Sequence, residues 1–392
     1  TFIIHAKRTP IGRINGSLSD IRVDDLMSLL IKDFKESINF DPAEIDDVLI
    51  GCANQAGEDN RNIARMSLLL GGLPFTVPGT TINRLCGSSL DALMGAVARI
   101  SSGFGDCMLV GGVEGMTRAP YALSKASSSY GRGQKLYDTS FGWRFSNPKM
   151  KEMFPLFSMG ETAEEVATLL KIAREDQDQF ALRSHQNAVR AINDGLFKDE
   201  ILPVEIKKRK ETTLISQDEG PRSNTSIEKL ASLKPVFREG GSVTAGNSSS
   251  LNDGASLVAV VSKEFLEKHN LSPLVQVTGA AVKGIHPNTM GLGPVESTKQ
   301  LCQKFGYSIN DFDVIELNEA FSAQSLGCIR ELEADPDKIN LNGGSIALGH
   351  PLGCSGTRIL TTLVHIMKKN SQLRKGLATM CIGVGQGISL SV

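Results

Sequence analysis

The chain has 392 residues and almost no excess of charge of either sign. Its 42 Lys and Arg residues nearly balance 43 Asp and Glu residues, which gives a formal net charge of -1. Nucleic acids and anionic membrane surfaces attract proteins through clusters of basic side chains, and this balance provides no such excess. We therefore expect neither nucleic acid nor a membrane as a partner.

Paired cysteine motifs are also missing. The seven cysteines are odd in number, dispersed and free of CxxC spacing, at positions 52, 86, 107, 302, 328, 354 and 381. This usage argues against a disulfide framework and against a zinc site. It predicts reduced thiols in a cytoplasmic compartment and no bound metal.

Long apolar runs and address signals are absent too. No run approaches membrane-spanning length, and the N-terminus becomes charged at Lys7, too early for a secretory signal. The last five residues are not a peroxisomal address. Gly111-Gly112 lacks the G-x-G-x-x-G spacing of a dinucleotide loop, so no permanently bound cofactor is expected. The missing initiator Met leaves open whether a transit peptide was removed.

Two glycine-rich segments near the C-terminus look like parts of a site. His350 lies between Gly349 and Pro351, and Cys381 is followed by Ile382-Gly383-Val384-Gly385. Glycine lets a ligand approach backbone amides closely, and His and Cys supply acid/base groups. Each residue alone is more often structural, but together they indicate proton-transfer chemistry.

A third residue, Cys86, has the setting of a nucleophile. It follows a predicted strand at 79–82 and precedes apolar residues at helical spacing from Leu90 to Ile100. A thiolate at such a strand-to-helix turn faces unpaired amides and the positive end of the helix dipole, which lower its pKa. Alone, such a cysteine is more often a small buried hydrophobe.

These residues belong to a series of motifs along the whole chain that resembles the thiolases. Several short motifs in the family's order are far more specific than any one of them. The matching segments are Arg8–Gly12, Asn83–Ser88, Gly111–Glu114, Thr244–Asn247, Asn252–Ala255, Asn318–Phe321, Gly349–Pro351 and Cys381–Gly383.

The resemblance implies an α/β, thiolase-like five-layer fold made from two similar βαβαβ-type halves with an inserted loop domain. A faint duplication agrees with this, because residues 46–50 resemble 312–316 and residues 85–88 resemble 352–355 at nearly one offset. We expect one half over 1–118 and 250–269, the other over 270–392, and a loop domain over 119–249 that binds CoA and covers the active site.

By resemblance, the activity is CoA-dependent cleavage of a 3-oxoacyl-CoA, reversible as a Claisen condensation. Cys86 would be the nucleophile, His350 its base, and Cys381 the acid/base at the substrate's α-carbon. The amides of Cys86 and Gly383 would form one oxyanion hole, and His350 with a water held by Asn318 the other. Coenzyme A is then a co-substrate.

The resemblance also assigns binding residues. Arg222 would lie beside the adenine and Ser249 near the pantetheine amides, with Ser226 a weaker assignment. Met159 and Phe321 would line the acyl pocket. The basic run 207–210 is more simply explained as an exposed face.

This chain departs from the family's pattern at some positions. Serines stand at 89, 248 and 250, where glycine or alanine is common, and Ser158 replaces a histidine common in acetoacetyl-CoA-forming members. Residues 57–62 and 142–148 instead resemble the 3-oxoadipyl-CoA branch, whose terminal carboxylate would need a cation such as Arg144, Lys149 or Lys151.

The other readings are an acetoacetyl-CoA thiolase, a decarboxylating ketoacyl synthase and a non-catalytic acyl-CoA or lipid carrier. A synthase would be expected to have His or Asn in place of Cys381, and a carrier should have lost one of Cys86, His350 and Cys381. The family's habit implies a homotetramer built from two dimers.

Overall fold

The computed structural model describes residues 1–208 and 211–392. Arg209 and Lys210, at the end of the basic run, lie outside the described residues. Fifteen strands occur in the described part of the chain: β1 Phe2–Arg8, β2 Gly12–Arg13, β3 Asp47–Gly51, β4 Gly79–Ile82, β5 Cys107–Gly115, β6 Tyr121–Leu123, β7 Leu136–Asp138, β8 Val204–Lys208, β9 Glu211–Ile215, β10 Asn252–Val261, β11 Val275–Gln276, β12 Gly279–Gly284, β13 Val314–Leu317, β14 Gly376–Ile382 and β15 Gln386–Ser391.

Twelve α-helices connect and cover these strands within the same residues: α1 Val23–Ser37, α2 Ile63–Leu70, α3 Ser88–Ser101, α4 Pro148–Met153, α5 Met159–Leu169, α6 Arg174–Asn193, α7 Ile227–Ala231, α8 Lys263–Lys268, α9 Gly293–Phe305, α10 Ser322–Leu332, α11 Ser345–Leu348 and α12 Ser355–Lys369. None of the described helices is both long enough and apolar enough to cross a membrane.

The strands form two large sheets. The first has the order β11-β1-β10-β5-β3-β4 with β2 added beside β10, and the second has the order β12-β15-β14-β13. In each sheet a parallel pair, β3 with β5 or β13 with β14, is extended by an antiparallel strand, β10 or β15. The expected duplication is therefore present as two similar topologies.

Apolar side chains pack these sheets into five layers. Helices α1 and α2 cover the outer face of the first sheet, and α9 with α10 covers the outer face of the second. Helices α3 and α12 lie against each other between the sheets, where Leu90, Leu93, Ile359 and Leu363 share one buried cluster with residues of both sheets. The predicted fold class is confirmed.

The segment between β5 and β10 holds helices α4 to α7 and two hairpins, β6-β7 and β8-β9. Buried charges join it to the first half: the Arg8 guanidinium contacts Glu200 at 2.7 Å and Asp218 at 2.7 Å. A buried charge needs paired and hydrogen-bonded partners, and Arg8 has both here. This cluster fixes the segment between β5 and β10 to β1.

Candidate active site

Cys86 lies in the turn between β4 and α3. Leu85 has a φ of 48°, which is uncommon for a residue other than glycine, and the Ser88 hydroxyl holds the turn by donating to the Leu85 carbonyl at 2.5 Å. The Arg84 side chain contacts Asp91 at 2.8 Å and donates to Gln386 at 3.0 Å. The turn is therefore tied to its own helix and to the second half.

The acidity of Cys86 differs from the expectation. Burial raises the pKa of its thiol to about 11, although the backbone amides of Gly383 and of Cys86 itself lower it. The amides act in the direction predicted, but removal from water outweighs them. In the free protein Cys86 is a neutral thiol at pH 7 and needs a base when it reacts.

His350 is placed by its glycine neighbour. Gly349 has a φ of 111°, and a Cβ there would lie 2.5 Å from the Asn252 side chain, so only glycine fits. The side-chain Oδ1 of Asn252 in turn accepts from the His350 backbone amide at 2.9 Å. The Gly-His sequence is thus required by close approach to Asn252 at the start of β10.

The ring of His350 has a defined tautomer. The Ser355 hydroxyl donates to the Pro351 carbonyl at 2.7 Å, so its oxygen accepts from Nδ1–H of His350 at 2.6 Å. Burial, assisted by the Arg358 charge, lowers the pKa of His350 to about 3. The imidazole is therefore neutral, with an unprotonated Nε2 that is able to accept a proton.

Asn318 lies behind His350 and is fully buried. Its Oδ1 accepts from the Ser345 hydroxyl at 2.6 Å, while Arg358 donates to that hydroxyl at 2.9 Å. These contacts direct the Asn318 NH₂ group toward His350, whose two ring nitrogens lie 3.5 Å away. Asn318 therefore presents a donor beside the imidazole.

Cys381 occupies β14 directly before the Gly383 turn. It is buried, and its thiol pKa is raised by burial and then by the nearby Cys86 sulfur. The Gly383 amide faces the Cys86 sulfur. A Cβ on Gly383 would lie 3.3 Å from the Leu85 side chain, which leaves little room for a larger residue there.

One cavity of about 920 Å³ brings most of the predicted residues together. Its walls include eight of them: Cys86, His350, Cys381, Gly383, Met159, Phe321, Arg222 and Ser249. A concave, mainly apolar pocket with a few convergent polar groups is typical of an active site. Asn318 is not in the wall and reaches the cavity through His350.

The three residues predicted to bind CoA differ in their positions relative to the cavity. Arg222 is exposed, and its backbone amide donates to His185 Nδ1 at 3.2 Å. The Ser249 amide donates to the Ala320 carbonyl at 3.0 Å, which places Ser249 beside Phe321. Ser226 does not line the cavity, because its hydroxyl caps α7 by accepting from the Lys229 amide at 3.4 Å.

The two residues predicted to line an acyl pocket lie in the cavity wall. Phe321 packs edge-on against Phe237 with ring centroids 6.2 Å apart, and Met159 begins α5 after the capping residue Ser158. Of the three cations suggested for a terminal carboxylate, Arg144 lines the cavity. Lys149 and Lys151 are exposed on α4 and do not.

The side chains of the additional serines are hydrogen-bonded. Ser89 is fully buried and accepts from the Thr357 amide at 2.9 Å, which links α3 to α12. Ser248 donates to the Thr244 carbonyl at 2.7 Å, and Ser250 donates to Asn252 at 2.9 Å. Each of these three hydroxyls therefore forms a hydrogen bond with a residue near the site.

A cluster of possible metal ligands lies beside the cavity. One ligand atom from each of Cys52, Asp59 and Glu114 falls within 4.8 Å of the others, all three residues being buried. Backbone amides already occupy both carboxylates: Glu114 accepts from Ala53, Asn54 and Gly353, and Asp59 accepts from Gln55 and Gly57. Both carboxylates therefore hold the surrounding loops in place through hydrogen bonds to backbone amides.

Sequence reasoning missed the residues that act through others. Ser355 orients His350, Ser345 and Arg358 orient Asn318, and Glu114 joins the loop at Ala53 to the loop at Gly353. A buried Ser or Glu in an apolar segment gives no local signal of its partner. Only the tertiary contacts reveal these roles.

Two family models match nearly the entire chain. The thiolase N-terminal domain matches residues 1–264, and the thiolase C-terminal domain matches residues 271–392. The chain belongs to the thiolase family, and it is an acyltransferase of that family. The geometry of the cavity agrees with this assignment.

Named relatives and solved structures resemble the chain over its full length. It is 52% identical to the beta-ketoadipyl-CoA thiolase of Pseudomonas aeruginosa, over 100% of this chain and 98% of that protein. It is 50% identical to the 3-oxoadipyl-CoA/3-oxo-5,6-dehydrosuberyl-CoA thiolase of Escherichia coli K12, over 99% and 98%. The human mitochondrial 3-ketoacyl-CoA thiolase in complex with CoA superimposes with a TM-score of 0.92 at 37% identity, over 100% and 96%.

Proposed function

We propose that this enzyme cleaves 3-oxoadipyl-CoA with coenzyme A to acetyl-CoA and succinyl-CoA. The observation that carries the proposal is the convergence of Cys86, His350, Cys381 and the Gly383 amide on one cavity. The names of the relatives at about 50% identity support the choice of acyl chain.

In the first half-reaction, Nε2 of His350 takes the thiol proton of Cys86, and the sulfur attacks the 3-keto carbon. A neutral imidazole beside a neutral thiol suits this transfer, because the base is free and the proton is present. The bond between C2 and C3 then breaks, and its electron pair stays on C2. Cys86 keeps the succinyl group as a thioester.

Cys381 completes that half-reaction by donating its thiol proton to C2 of the enolate, which releases acetyl-CoA. The resulting Cys381 thiolate takes the proton of the incoming CoA thiol, and the CoA sulfur attacks the succinyl thioester. Cys86 leaves and recovers a proton from His350. Each group thus returns to its initial state.

Both half-reactions develop negative charge on oxygen. The amides of Gly383 and Cys86 are suited to the oxygen on the carbon that Cys86 attacks, since both already act on the sulfur. His350 and a water held by the Asn318 NH₂ group would serve the thioester oxygen of the enolate. Fixed donors in a buried site need little rearrangement as the charge forms.

Coenzyme A would enter over the segment between β5 and β10. Arg222 and Ser249 are the proposed contacts for its adenine and pantetheine ends, and both line the cavity. The capping role of Ser226 makes its contact with CoA the weakest of these assignments. We propose that 119–249 acts as the loop domain between halves formed by 1–118 with 250–269 and by 270–392.

The assembly and compartment are also proposals. Exposed apolar side chains on the β6-β7 hairpin, including Leu123 and Leu136 at 64% exposure each, support a homotetramer built from dimers. The seven free cysteines support work in the reducing cytoplasm. Light scattering coupled to size exclusion would measure the subunit number.

The substrate is tested by CoA-dependent cleavage of 3-oxoadipyl-CoA, acetoacetyl-CoA and 3-oxodecanoyl-CoA, with Cys86→Ala as control. A higher kcat/KM for 3-oxoadipyl-CoA supports the proposal. A preference for acetoacetyl-CoA would instead support an acetyl-CoA acetyltransferase. This alternative is supported by a Bacillus anthracis structure of that name, which is 39% identical to the chain and superimposes with a TM-score of 0.92 over 100% of this chain and 97% of that one. Cleavage of none of the three would support the non-catalytic carrier.

A further inference from the structure

Arg144 is a partly buried cation in the wall of the active-site cavity. It lies between β7 and α4, and its guanidinium donates to Asn54 Oδ1 at 2.8 Å, to the Asn54 carbonyl at 3.4 Å and to the Thr139 carbonyl at 3.2 Å. All three acceptors are neutral. These contacts hold the side chain in place, and no carboxylate among the described residues forms an ion pair with it.

The described cavity wall provides no carboxylate to neutralise Arg144. Glu114 is the one acidic residue among the lining residues that the structure describes, and its oxygens accept from the amides of Ala53, Asn54 and Gly353. Burial also raises the pKa of Glu114 to about 7. A partly desolvated guanidinium with only neutral partners favours an incoming carboxylate.

The other cations of the cavity lie elsewhere. Arg13 and Arg222 are close enough for the Arg13 charge to lower the pKa of Arg222, and both charges lower the pKa of His185. Lys229, like Arg222, belongs to the segment between β5 and β10. This group suits the phosphates of coenzyme A, whereas Arg144 contacts Asn54 and Thr139.

Asn54 connects Arg144 to the segment of the nucleophile. The neighbouring Ala53 carbonyl accepts from the Asn83 side chain at 3.0 Å, and the Cys52 amide donates to the Ile82 carbonyl at 3.0 Å. Residues 52–54 therefore lie along the strand and turn that lead to Cys86. Arg144 contacts the side of the cavity that contains the reacting sulfur.

The dimensions of the substrate require a receptor on that side. In 3-oxoadipyl-CoA three carbon–carbon bonds of about 1.5 Å each separate the attacked keto carbon from the terminal carboxylate carbon. When Cys86 bonds to the keto carbon, the carboxylate carbon lies within about 4.5 Å of that carbon, so the group that binds the acid must adjoin the part of the cavity that Cys86 lines. The exposed Lys149 and Lys151 lie outside the cavity wall.

We propose that Arg144 binds the terminal carboxylate of a 3-oxo-dicarboxylyl-CoA and makes the enzyme selective for dicarboxylic acyl chains. The inference rests on the proposed function and adds the residue that recognises the acid. Arg144 takes no part in bond making. Its planar guanidinium keeps its contacts to Asn54 and Thr139 and directs the remaining donors to the substrate.

The test compares 3-oxoadipyl-CoA with 3-oxohexanoyl-CoA, which has the same chain length and lacks the acid. We expect Arg144→Met to lower kcat/KM for 3-oxoadipyl-CoA roughly 10- to 100-fold, because charged hydrogen bonds are lost, and to change kcat/KM for 3-oxohexanoyl-CoA by about twofold or less. Lys149→Met is the matched control, since it removes one exposed charge five positions away and should change neither value.

Arg144→Lys is a second variant that keeps the charge and loses the planar fork. It should fall between wild type and Arg144→Met on 3-oxoadipyl-CoA, and it allows the test if the methionine variant folds poorly. Succinyl-CoA against butyryl-CoA as product inhibitors gives an independent readout. We expect only succinyl-CoA to bind more weakly to the lysine variant.

Three outcomes would overturn the inference. Equal loss on both substrates would show that Arg144 only holds the loop at Asn54 and Thr139. An unchanged ratio between the substrates in both Arg144 variants would show that another group binds the acid. A wild type that does not prefer 3-oxoadipyl-CoA would contradict the proposed function itself, and this result is recognised without any variant.

Discussion

The two halves of the molecule each place a cysteine at the start of their central helix, and the two cysteines have different environments. Cys86 precedes the capping residue of α3, whereas Cys354 is the capping residue of α12. Cys86 lines the cavity and faces the Gly383 amide. Cys354 is fully buried and lies 3.4 Å from the Ser256 hydroxyl in the core between the halves.

This difference shows that the strand-to-helix turn alone does not create a nucleophile. Both thiols have raised pKa values because both are buried, Cys86 to about 11 and Cys354 to about 12. What distinguishes Cys86 is access to the cavity, an amide from the opposite half and a neutral imidazole in the same cavity. A shift of one residue along the turn separates a thiol that lines the cavity from a fully buried one.

The largest expected effect is the difference in activity between alanine variants of the two cysteines. Cys86→Ala should lower kcat by about 10⁴-fold or more, because no acyl-enzyme can form. Cys354→Ala should keep activity within about twofold. Initial rates of acetyl-CoA formation measure both, and comparable losses in the two variants would remove the distinction between the halves.

The next effect concerns His350, the proposed base for Cys86. His350→Gln should lower kcat by roughly 10² to 10⁴-fold, because an amide cannot accept the thiol proton. The thermal midpoint of the variant, compared with wild type, serves as the control for folding. Retention of full activity would mean that another group deprotonates Cys86.

The pH dependence of alkylation sharpens the comparison further. A thiol with a raised pKa stays protonated longer as pH rises, so the reactive thiolate of Cys86 should increase about tenfold per pH unit from pH 7 to pH 10. Iodoacetamide labelling followed by peptide mass spectrometry would measure this rate. A plateau below pH 8 would instead indicate a preformed thiolate, and Cys354 should stay unlabelled throughout.

A smaller loss is expected at the residue that fixes the tautomer of His350. Ser355→Ala removes the acceptor for Nδ1–H, and we expect kcat to fall by about 10- to 100-fold while KM changes little. Ser345→Ala, which removes the hydroxyl behind Asn318, is a useful comparison. A loss that appears only in KM would contradict an orienting role for Ser355.

The smallest effect is on stability. Cys354→Ala removes one buried sulfur from a packed region, and the free energy of unfolding should fall by about 1 kcal/mol. Chemical denaturation of the variant and wild type would give the difference. A much larger loss would mean that the contact with Ser256 contributes more than packing does.

The same comparison explains what could be predicted from sequence. The strand before Cys86, the helix after it and the duplicated topology follow from residue patterns, and the structure confirms them. Helix α5 begins at Met159, because Ser158 and Glu161 form a capping box before its first turn. The short hairpin β6-β7 and helix α4 are not predictable from residue patterns, since mostly exposed side chains leave no apolar period there.

The site was predicted less completely than the fold. Motifs identify Cys86, His350, Cys381 and Gly383, since glycine, proline and cysteine at fixed spacing are specific signals. The acidity of Cys86 depends on how much water the fold removes, which local sequence does not encode. The partners of His350 and Asn318 are serines and an arginine from other segments, and their types alone give no indication of these roles.

The most direct test of this account is to find which residue carries the acyl group. Wild-type enzyme would be mixed with 3-oxoadipyl-CoA without free CoA, quenched in acid, digested and analysed by peptide mass spectrometry. We expect a succinyl group on the peptide containing Cys86 and one equivalent of acetyl-CoA released. A succinyl group on Cys354 or Cys381, or turnover with no acylated peptide, would contradict it.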